Sequence, residues 1–305
     1  MRTSLLATVA LTTTLWAGSA AAQALRAGER AADITAIAGV VDAGSSWELV
    51  WSGTQSADGL VPSADGGLLF AQEQTDTVRK LDSQHREYIL LRDTHGTGAV
   101  SMDAQGRLFG VQRRLLDSFP DGKPLGRVND LVADGKGGAY FTSGGAWHVT
   151  AQGALQVVAE DDIRANGILL SGDGRLLWVT NNDHVLAFTV QPDGSVKSRR
   201  TFGALGGDTG GDGMALDNDG RLYVTASKGV HVLSRDGGYL GLIPTPRPPI
   251  SLAFTGPGKK LLYVAMMGAV GPDGKPWTTP PGVRNVGMSI YRLPVRSAGF
   301  AGRPK

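Results

Sequence analysis

Cysteine is absent from the 305-residue sequence. Disulfide bonds, cysteine-ligated zinc and thiol catalysis are therefore excluded, and the folded state has to be stabilised by a hydrophobic core. The hydrophobic content of 41% is typical of a soluble globular protein and is sufficient for such a core.

An excess of charge of one sign is also absent. The 30 Lys and Arg residues nearly balance the 28 Asp and Glu residues, and basic residues never occur in runs longer than a pair. A protein that follows nucleic-acid phosphates needs a concentrated basic face. We therefore expect no nucleic-acid partner.

Several catalytic motifs are missing as well. The sequence contains no G-x-S-x-G, H-E-x-x-H or G-x-x-x-x-G-K-[ST] pattern, which leaves serine-hydrolase, zincin and P-loop functions without residues. The segment DNDG, which begins at Asp217, resembles the start of an EF-hand loop, but Lys228 stands at the twelfth position, so we interpret it as a turn. The histidines lack ligand spacing; His95 could lie near a channel, with a surface loop as the alternative.

The N-terminus has the layout of a cleaved secretory signal. Arg2 precedes an apolar region from about Leu5 to Trp16, and small residues follow in A-x-A arrangement. The apolar region is too short to span a bilayer as a permanent anchor. We predict a signal peptide over residues 1–24, export to the periplasm or the medium, and no membrane association after cleavage. An uncleaved anchor is the alternative.

Glycine is abundant, with 44 residues spread along the whole chain, and it marks a repeat. Strand-turn-strand segments such as SADGGLLFA and DNDGRLYVT recur at intervals of 31 to 46 residues. Repeats of about 40 residues are typical of four-stranded propeller blades, and no stretch shows a sustained helical period. The sequence thus predicts an all-β, six-bladed β-propeller over residues 25–305, a single domain in which WELVWSG, residues 47–53, completes the last blade. The glycines that anchor the six turns are Gly66, Gly106, Gly137, Gly174, Gly220 and Gly258.

One position of the repeat is rich in Asp and Asn. The inner strands of a propeller begin at the mouth of the central channel, so equivalent residues there face one another. Two carboxylates and two amides would offer a ring of oxygen ligands, which suits Ca²⁺ or Mg²⁺, with Mn²⁺ or Zn²⁺ as substitutes. Asx turns at strand starts are the alternative explanation. Counting eight residues back from each anchor glycine gives Asp58, Gly98, Asn129, Asn166, Asp212 and Ile250.

Four segments also carry a family resemblance. They are RVND (residues 127–130), RANGILLSGDGRLLWVT (164–180), GDGMALDNDGRLYVTASKGVHVLSRDG (211–237) and LAFTGPGKKLLYVA (252–265). Together they resemble the regucalcin/gluconolactonase/luciferin-regenerating-enzyme family, over roughly residues 49–293. The resemblance implies a six-bladed propeller with one divalent cation in its central channel, and lactone hydrolysis.

The resemblance also implies residue roles. Asn166 and Asp212 correspond to metal ligands, with Asp212 also the general base, while Asn129 and Arg127 correspond to substrate-contacting residues. The first ligand, normally the Glu of an EGP motif, is Asp58 here, in DGL. Because Asp is one methylene shorter, the ion has to move or a water has to intervene, which Ca²⁺ tolerates better than Mg²⁺. At the last blade Ile250-Ser251 replaces the Thr-Asn found in many relatives, which alters the pocket wall.

These residues predict a gluconolactonase-like hydrolase with one bound divalent cation, Ca²⁺ being the expected ion. The cation would polarise the carbonyl of a sugar-acid lactone, and Asp212 would activate water. Two alternatives use the same propeller. One is a metal-dependent hydrolase or lyase acting on another ester-like substrate, and the other is a non-catalytic exported binding propeller.

Overall fold

Residues 24–110, 128–160 and 162–302 are described by a computed structural model of the chain. These stretches fold almost entirely into antiparallel strands. The only helical elements in them are two 3-10 turns, Glu73–Thr75 and Pro257–Lys259, as the lack of a helical period predicts. No helix in the same stretches is long and apolar enough to cross a membrane. The predicted signal peptide, apart from residue 24, lies outside the described residues.

Five four-stranded sheets form the blades of a propeller. The first blade contains β2 (Asp58–Pro62), β3 (Leu68–Gln72), β4 (Thr77–Leu81) and β5 (Glu87–Arg92). The second contains β8 (Leu131–Ala133), β9 (Ala139–Ser143), β10 (Gly145–Val149) and β11 (Leu155–Ala159). The third contains β12 (Ala165–Leu170), β13 (Leu176–Asn181), β14 (His184–Val190) and β15 (Val196–Ala204), and the fourth β16 (Met214–Leu216), β17 (Leu222–Ala226), β18 (Gly229–Leu233) and β19 (Tyr239–Pro244). The closing blade contains β20 (Pro249–Thr255), β21 (Leu261–Met267), β22 (Met288–Pro294) and, at its outer edge, β1 (Glu48–Gly53).

The closing blade joins the two ends of the domain. β1 pairs antiparallel with β22, and Glu48 opposite Arg292 makes a two-pronged ion pair with N–O distances of 2.8 and 2.9 Å. This pairing confirms the prediction that the WELVWSG segment completes the last blade. A strand from the start of the chain thereby covers a sheet edge that would otherwise be unpaired.

Six inner strands form a continuous ring. A two-stranded sheet of β6 (Ser101–Met102) and β7 (Leu108–Phe109) stands between the first and second blades. Each inner strand contacts the next, and the last returns to the first, in the order β2, β6, β8, β12, β16, β20. The prediction of six four-stranded blades is corrected here, because the described residues form five. The sixth position holds only the short β6–β7 pair, and residues 111–127, which follow it, lie outside the described stretches.

The inner hairpins turn at the glycines that define the repeat. All six anchor glycines have positive φ, between +62° and +97°, a conformation that costs glycine little. Asp217 explains the DNDG turn: its Oδ1 accepts the N–H groups of Asp219 and Arg221 at 2.9 and 2.8 Å. This carboxylate is engaged by its own turn, as the turn interpretation of DNDG predicts.

The core lies between neighbouring blades. Leu60 and Phe70 of the first blade pack in one cluster with Tyr263 and Ile290 of the closing blade. The segment before β1 adds apolar residues such as Val40 to the cluster between the fourth and closing blades. Polar contacts fix that segment too, since buried Arg247 donates to the Tyr291 hydroxyl at 3.0 Å and to the Ala27 carbonyl at 2.6 Å. Burial between blades holds each inner strand in place relative to its neighbours.

Candidate functional site

The four predicted polar residues of the ring lie at the starts of four inner strands. Asp58 is the first residue of β2 and Asn166 the second of β12, while Asn129 and Asp212 each stand two residues before β8 and β16. All four are partly exposed, and each is followed by a buried residue. Their side chains therefore stand at the boundary between the packed inner strands and solvent.

Two of these residues are in direct contact. Asn129 Nδ2 donates to Asn166 Oδ1 at 2.6 Å, which joins the second and third blades. The Asn129 backbone is fixed as well, since its N–H donates to the Thr142 carbonyl at 2.8 Å. The register of the repeat placed these two amides at equivalent positions, and the structure brings them together.

Glycine explains why Asn166 and Asp212 are near neighbours. A Cβ built on Gly167, the residue after Asn166, would lie 1.9 Å from the carbonyl oxygen of Asp212. Glycine alone permits this approach. A similar close approach occurs at Gly213, where a Cβ would lie 2.7 Å from the Ile250 carbonyl oxygen. The Asx-Gly pairs at strand starts are thus packing contacts between consecutive inner strands, in contrast to the hairpin glycines.

Hydrogen bonds hold the main chain around Asp212. Its N–H donates to the Thr225 carbonyl at 2.9 Å, and the N–H of Gly213 donates to the Ile250 carbonyl at 2.9 Å. The carbonyl of Ile250 also accepts the Thr225 hydroxyl at 2.9 Å. Asp212 is therefore presented from a backbone tied to both its own blade and the next.

Asp130 is a structural residue that the sequence analysis did not single out. It is buried, and its Oδ2 accepts the N–H of Ile168, in the third blade, at 3.1 Å. Its Oδ1 accepts the N–H of Leu131 at 2.9 Å. Asp130 follows Asn129 directly, and the two residues have different roles: Asn129 faces the ring, whereas Asp130 links two blades. In the sequence, the signal for Asp130 was its position next to Asn129 in RVND.

The closing blade contributes an apolar position to the ring. Ile250 is buried, and the next residue, Ser251, accepts the N–H of Leu60 through its hydroxyl at 3.0 Å. Ser251 thereby joins the closing blade to the first. An isoleucine at this point offers no ligand atom from its side chain.

Two other residues considered from the sequence are not placed in the ring. Arg127, predicted to contact substrate, lies outside the described residues. His95 occupies an exposed turn with φ of +56°, in agreement with the surface-loop alternative.

Two buried histidines make polar contacts within the blades. His231 Nε2 lies 3.0 Å from Asp208 Oδ2, and its Nδ1 lies 3.1 Å from the Tyr239 hydroxyl. Burial lowers the pKa of His231, outweighing the attraction of Asp208. Burial alone would raise the pKa of Asp208, but hydrogen bonds from His231 and two backbone N–H groups outweigh it and hold that pKa below its ordinary value. His148 makes the corresponding contact with Asp134 at 3.0 Å in the second blade.

The ring residues fit a hard divalent cation by their chemistry. No group of three or more His, Asp or Glu side chains in the described part of the chain is arranged to hold a metal ion. The predicted set is of a different kind, because two of its four members are amides. Carboxylate and amide oxygens are donors that Ca²⁺ accepts, and Ca²⁺ tolerates irregular geometry. The close approach at Gly167 and the Asn129–Asn166 contact bring such donors onto neighbouring strands.

Comparisons with known proteins agree with this architecture. Residues 89–268 match the profile of the family described as SMP-30/Gluconolactonase/LRE-like region. The chain is 26% identical over 227 residues to a gluconolactonase of Zymomonas mobilis subsp. mobilis, an alignment that covers 68% of this chain and 60% of that protein. The chain therefore spans less than two thirds of this relative's length.

Two solved structures resemble the fold. One is a gluconolactonase from Xanthomonas campestris, with a TM-score of 0.65, 22% identity, and coverage of 91% of this chain and 99% of that one. The other is regucalcin from Agrobacterium tumefaciens, described as a calcium-binding protein, with a TM-score of 0.63, 16% identity, and coverage of 85% and 96%. At these identities the structural matches establish the all-β propeller fold alone.

Proposed function

Because the chain belongs to the SMP-30/gluconolactonase/LRE-like family, we propose that it is a lactonase, a carboxylic ester hydrolase that opens the ring of a sugar-acid lactone. The observation that carries the proposal is the position of Asn129, Asn166 and Asp212 at the starts of three consecutive inner strands, with the two amides in contact. The gluconolactonase relatives support a small lactone as substrate.

Asp58, Asn166 and Asp212 would hold one divalent cation, for which we propose Ca²⁺. The calcium-binding description of the similar regucalcin structure supports this choice. When bound, the cation supplies a Lewis acid for the lactone carbonyl. The residues otherwise bind and orient the substrate, with Asn129 and Arg127 contacting its hydroxyl groups.

Asp212 accepts a proton from the attacking water. The water oxygen bonds to the carbonyl carbon, the ring C–O bond breaks, and the proton passes to the departing alkoxide. The product is an open hydroxy acid. No covalent intermediate with the protein is needed.

We further propose that the β6–β7 pair belongs to a sixth blade, which would make the propeller six-bladed. Support comes from the closed ring of six inner strands and from the six equivalent glycine turns. A crystal structure with only five sheets around the axis would contradict this.

Export, with cleavage between Ala20 and Leu25, is proposed from the order of charged, apolar and small residues at the N-terminus. N-terminal sequencing of the protein from its native host tests it. A mature chain that begins at Met1 would refute cleavage.

The lactonase proposal is tested by acid release from five- and six-membered sugar lactones, with metal content measured on the same samples. Activity should disappear on chelation and return with Ca²⁺. Asp212→Asn keeps an oxygen ligand but removes the base, so kcat should fall about 100-fold or more while part of the metal remains. Arg127→Ala should leave metal content nearly unchanged and raise KM.

Two results would contradict the proposal. Metal-loaded protein that is inactive across the whole panel would exclude sugar-lactone hydrolysis and favour another ester-like substrate or a non-catalytic binding role. Unchanged activity in Asp212→Asn would move the base to another residue.

A further inference from the structure

Three threonines stand at equivalent places on the second strands of three blades. Thr142 lies on β9, Thr180 on β13 and Thr225 on β17, and all three are fully buried. Each follows an apolar or aromatic stretch: YFT, LWVT and LYVT. Their hydroxyl groups all bond to the backbone at the starts of inner strands.

Thr142 connects both amide residues of the ring. Its hydroxyl donates to the main-chain carbonyl of Asn166 in the next blade. The same hydroxyl accepts the N–H of Asp130 at 3.1 Å, and the Thr142 carbonyl accepts the N–H of Asn129 at 2.8 Å. One buried threonine, through its hydroxyl and its carbonyl, thus fixes the backbone on both sides of the Asn129–Asn166 contact.

Thr255 makes a bond of the same kind at the other end of the inner strand of the closing blade. It is buried, and its hydroxyl donates to the Gly67 carbonyl in the first blade at 2.7 Å. Gly67 lies in the hairpin between β2 and β3, away from the strand starts that carry the ring residues. Thr255 is therefore a matched control for Thr142, whereas Thr225 is not, because its carbonyl accepts the N–H of Asp212, a proposed ligand.

We propose that Thr142 is a positioning residue for the cation site: by holding the Asn166 carbonyl, its hydroxyl sets the direction of the Asn166 side chain. This inference rests on the proposed metal site. A change of a few tenths of an ångström in the Asn166 backbone would alter both the amide contact with Asn129 and the ligand oxygen. Partners one step removed from a metal ligand typically change affinity by about 10- to 100-fold when replaced.

The experiment compares Thr142→Val with Thr255→Val. Both replace a hydroxyl by a methyl of similar size, so both should lower the melting temperature of the apoprotein. The dissociation constant for Ca²⁺, measured by titration calorimetry, should rise about 10-fold or more in Thr142→Val and change less than about threefold in Thr255→Val. Thr142→Ser restores the hydroxyl and should restore the affinity. Thr142→Ala removes the same group and serves if valine prevents folding.

Equal affinity losses in Thr142→Val and Thr255→Val would overturn the inference, because both would then reflect general loosening. An unchanged affinity in Thr142→Val, or no rescue by serine, would overturn it too, as would wild-type protein that binds none of Ca²⁺, Mg²⁺, Mn²⁺ and Zn²⁺. Wild-type protein that binds Ca²⁺ but opens no lactone would contradict the proposed activity alone, and the affinity comparison would still decide the role of Thr142.

Discussion

At the scale of single residues, glycine serves two separate purposes in this fold. At the six hairpins it adopts a left-handed conformation, whereas at Gly167 and Gly213 it lets the next inner strand approach. Some instances of the two uses look identical in sequence, since the hairpin pair Asp173-Gly174 reads as Asx-Gly just as Asn166-Gly167 does. They differ in what a side chain would meet: open solvent at Gly174, a backbone carbonyl at Gly167.

Gly167→Ala should therefore be more costly than Gly174→Ala. At position 167 the added methyl meets a backbone oxygen that cannot rotate away, so the inner strands have to separate, at about 3 kcal/mol, the upper end of overpacking costs. At position 174 only the left-handed conformation, with φ of +71°, is penalised, by about 1 kcal/mol. Urea denaturation measures both values.

Affinity at the proposed Ca²⁺ site is expected to separate the two alanine variants further. Gly167→Ala should weaken binding there because it displaces Asp212 relative to Asn166, and Gly174→Ala should not. If the two variants had similar free energies of unfolding, the neighbouring strand would have moved to accommodate the methyl group at position 167 at little cost.

The His231–Asp208 pair makes stability depend on pH. His231 is kept neutral in the folded state by burial, which lowers its pKa below 6.5. The unfolded chain takes up a proton at about pH 6.5, so this contribution is present above that pH and is lost as the pH falls. Asp208, whose pKa is held below 3.8, adds a loss in the same direction at lower pH.

His231→Gln should flatten the decline in unfolding free energy between about pH 7 and pH 5. His184→Gln is the control, because His184 is partly exposed and pairs with exposed Asp183. Urea denaturation at several pH values gives the slopes. A wild-type slope in His231→Gln would place the sensitivity in other groups.

At the scale of strands, the outer edges of the blades differ in protection. The edge strand β15 carries Lys197, Arg199 and Arg200, charges that discourage pairing with another chain. The edge strand β5 instead exposes Tyr88, Ile89 and Leu90, with 46%, 37% and 46% of their surfaces accessible. β5 is thus the edge most open to unwanted association among the described strands.

Leu90→Lys should raise the concentration at which the protein stays monodisperse in light scattering. Its unfolding free energy should change by less than about 0.5 kcal/mol, because the side chain is exposed. Val157→Lys, at an exposed but isolated apolar position of β11, should have little effect on either quantity. Equal gains in both variants would indicate a general effect of charge.

The strands also show how far the sequence could be read. The anchor glycines predicted every inner hairpin, because a left-handed turn favours glycine locally. The positions of the Asp and Asn residues of the ring followed from counting eight residues back from each anchor glycine. The contacts of Thr142 and Ser251 with the next blade could not be predicted from the sequence, since they form only when the blades close into a ring. The glycine turns also predicted six four-stranded blades where the described residues form five and the β6–β7 pair, because a glycine turn predicts a hairpin and carries no information about the two outer strands.

At the scale of the whole molecule, the residues before β2 hold the ring together. Val40, Val41 and Trp47 are buried between the fourth and closing blades, and β1 covers the edge of β22. A chain that starts at residue 24 should unfold in a single cooperative transition. One that starts at residue 54 loses this cluster and the edge strand, and should show a broad transition or none; calorimetry distinguishes them. A sharp transition in the shorter chain would mean that the blades close without β1.

The pairing of Glu48 with Arg292 also sets an order in time. Partners 244 residues apart cannot meet until nearly the whole polypeptide is available, however early the first blade acquires its own hairpins. Contacts of such long sequence separation slow folding, because a large loop has to be closed before they form. β1 is the first of the described strands to be synthesised, and we expect it to be among the last to pair. The closing blade can be completed only on a finished chain, so a product that stops before β22 leaves β1 without its partner and one edge of β21 unpaired, and these unpaired edges distinguish it from the complete molecule.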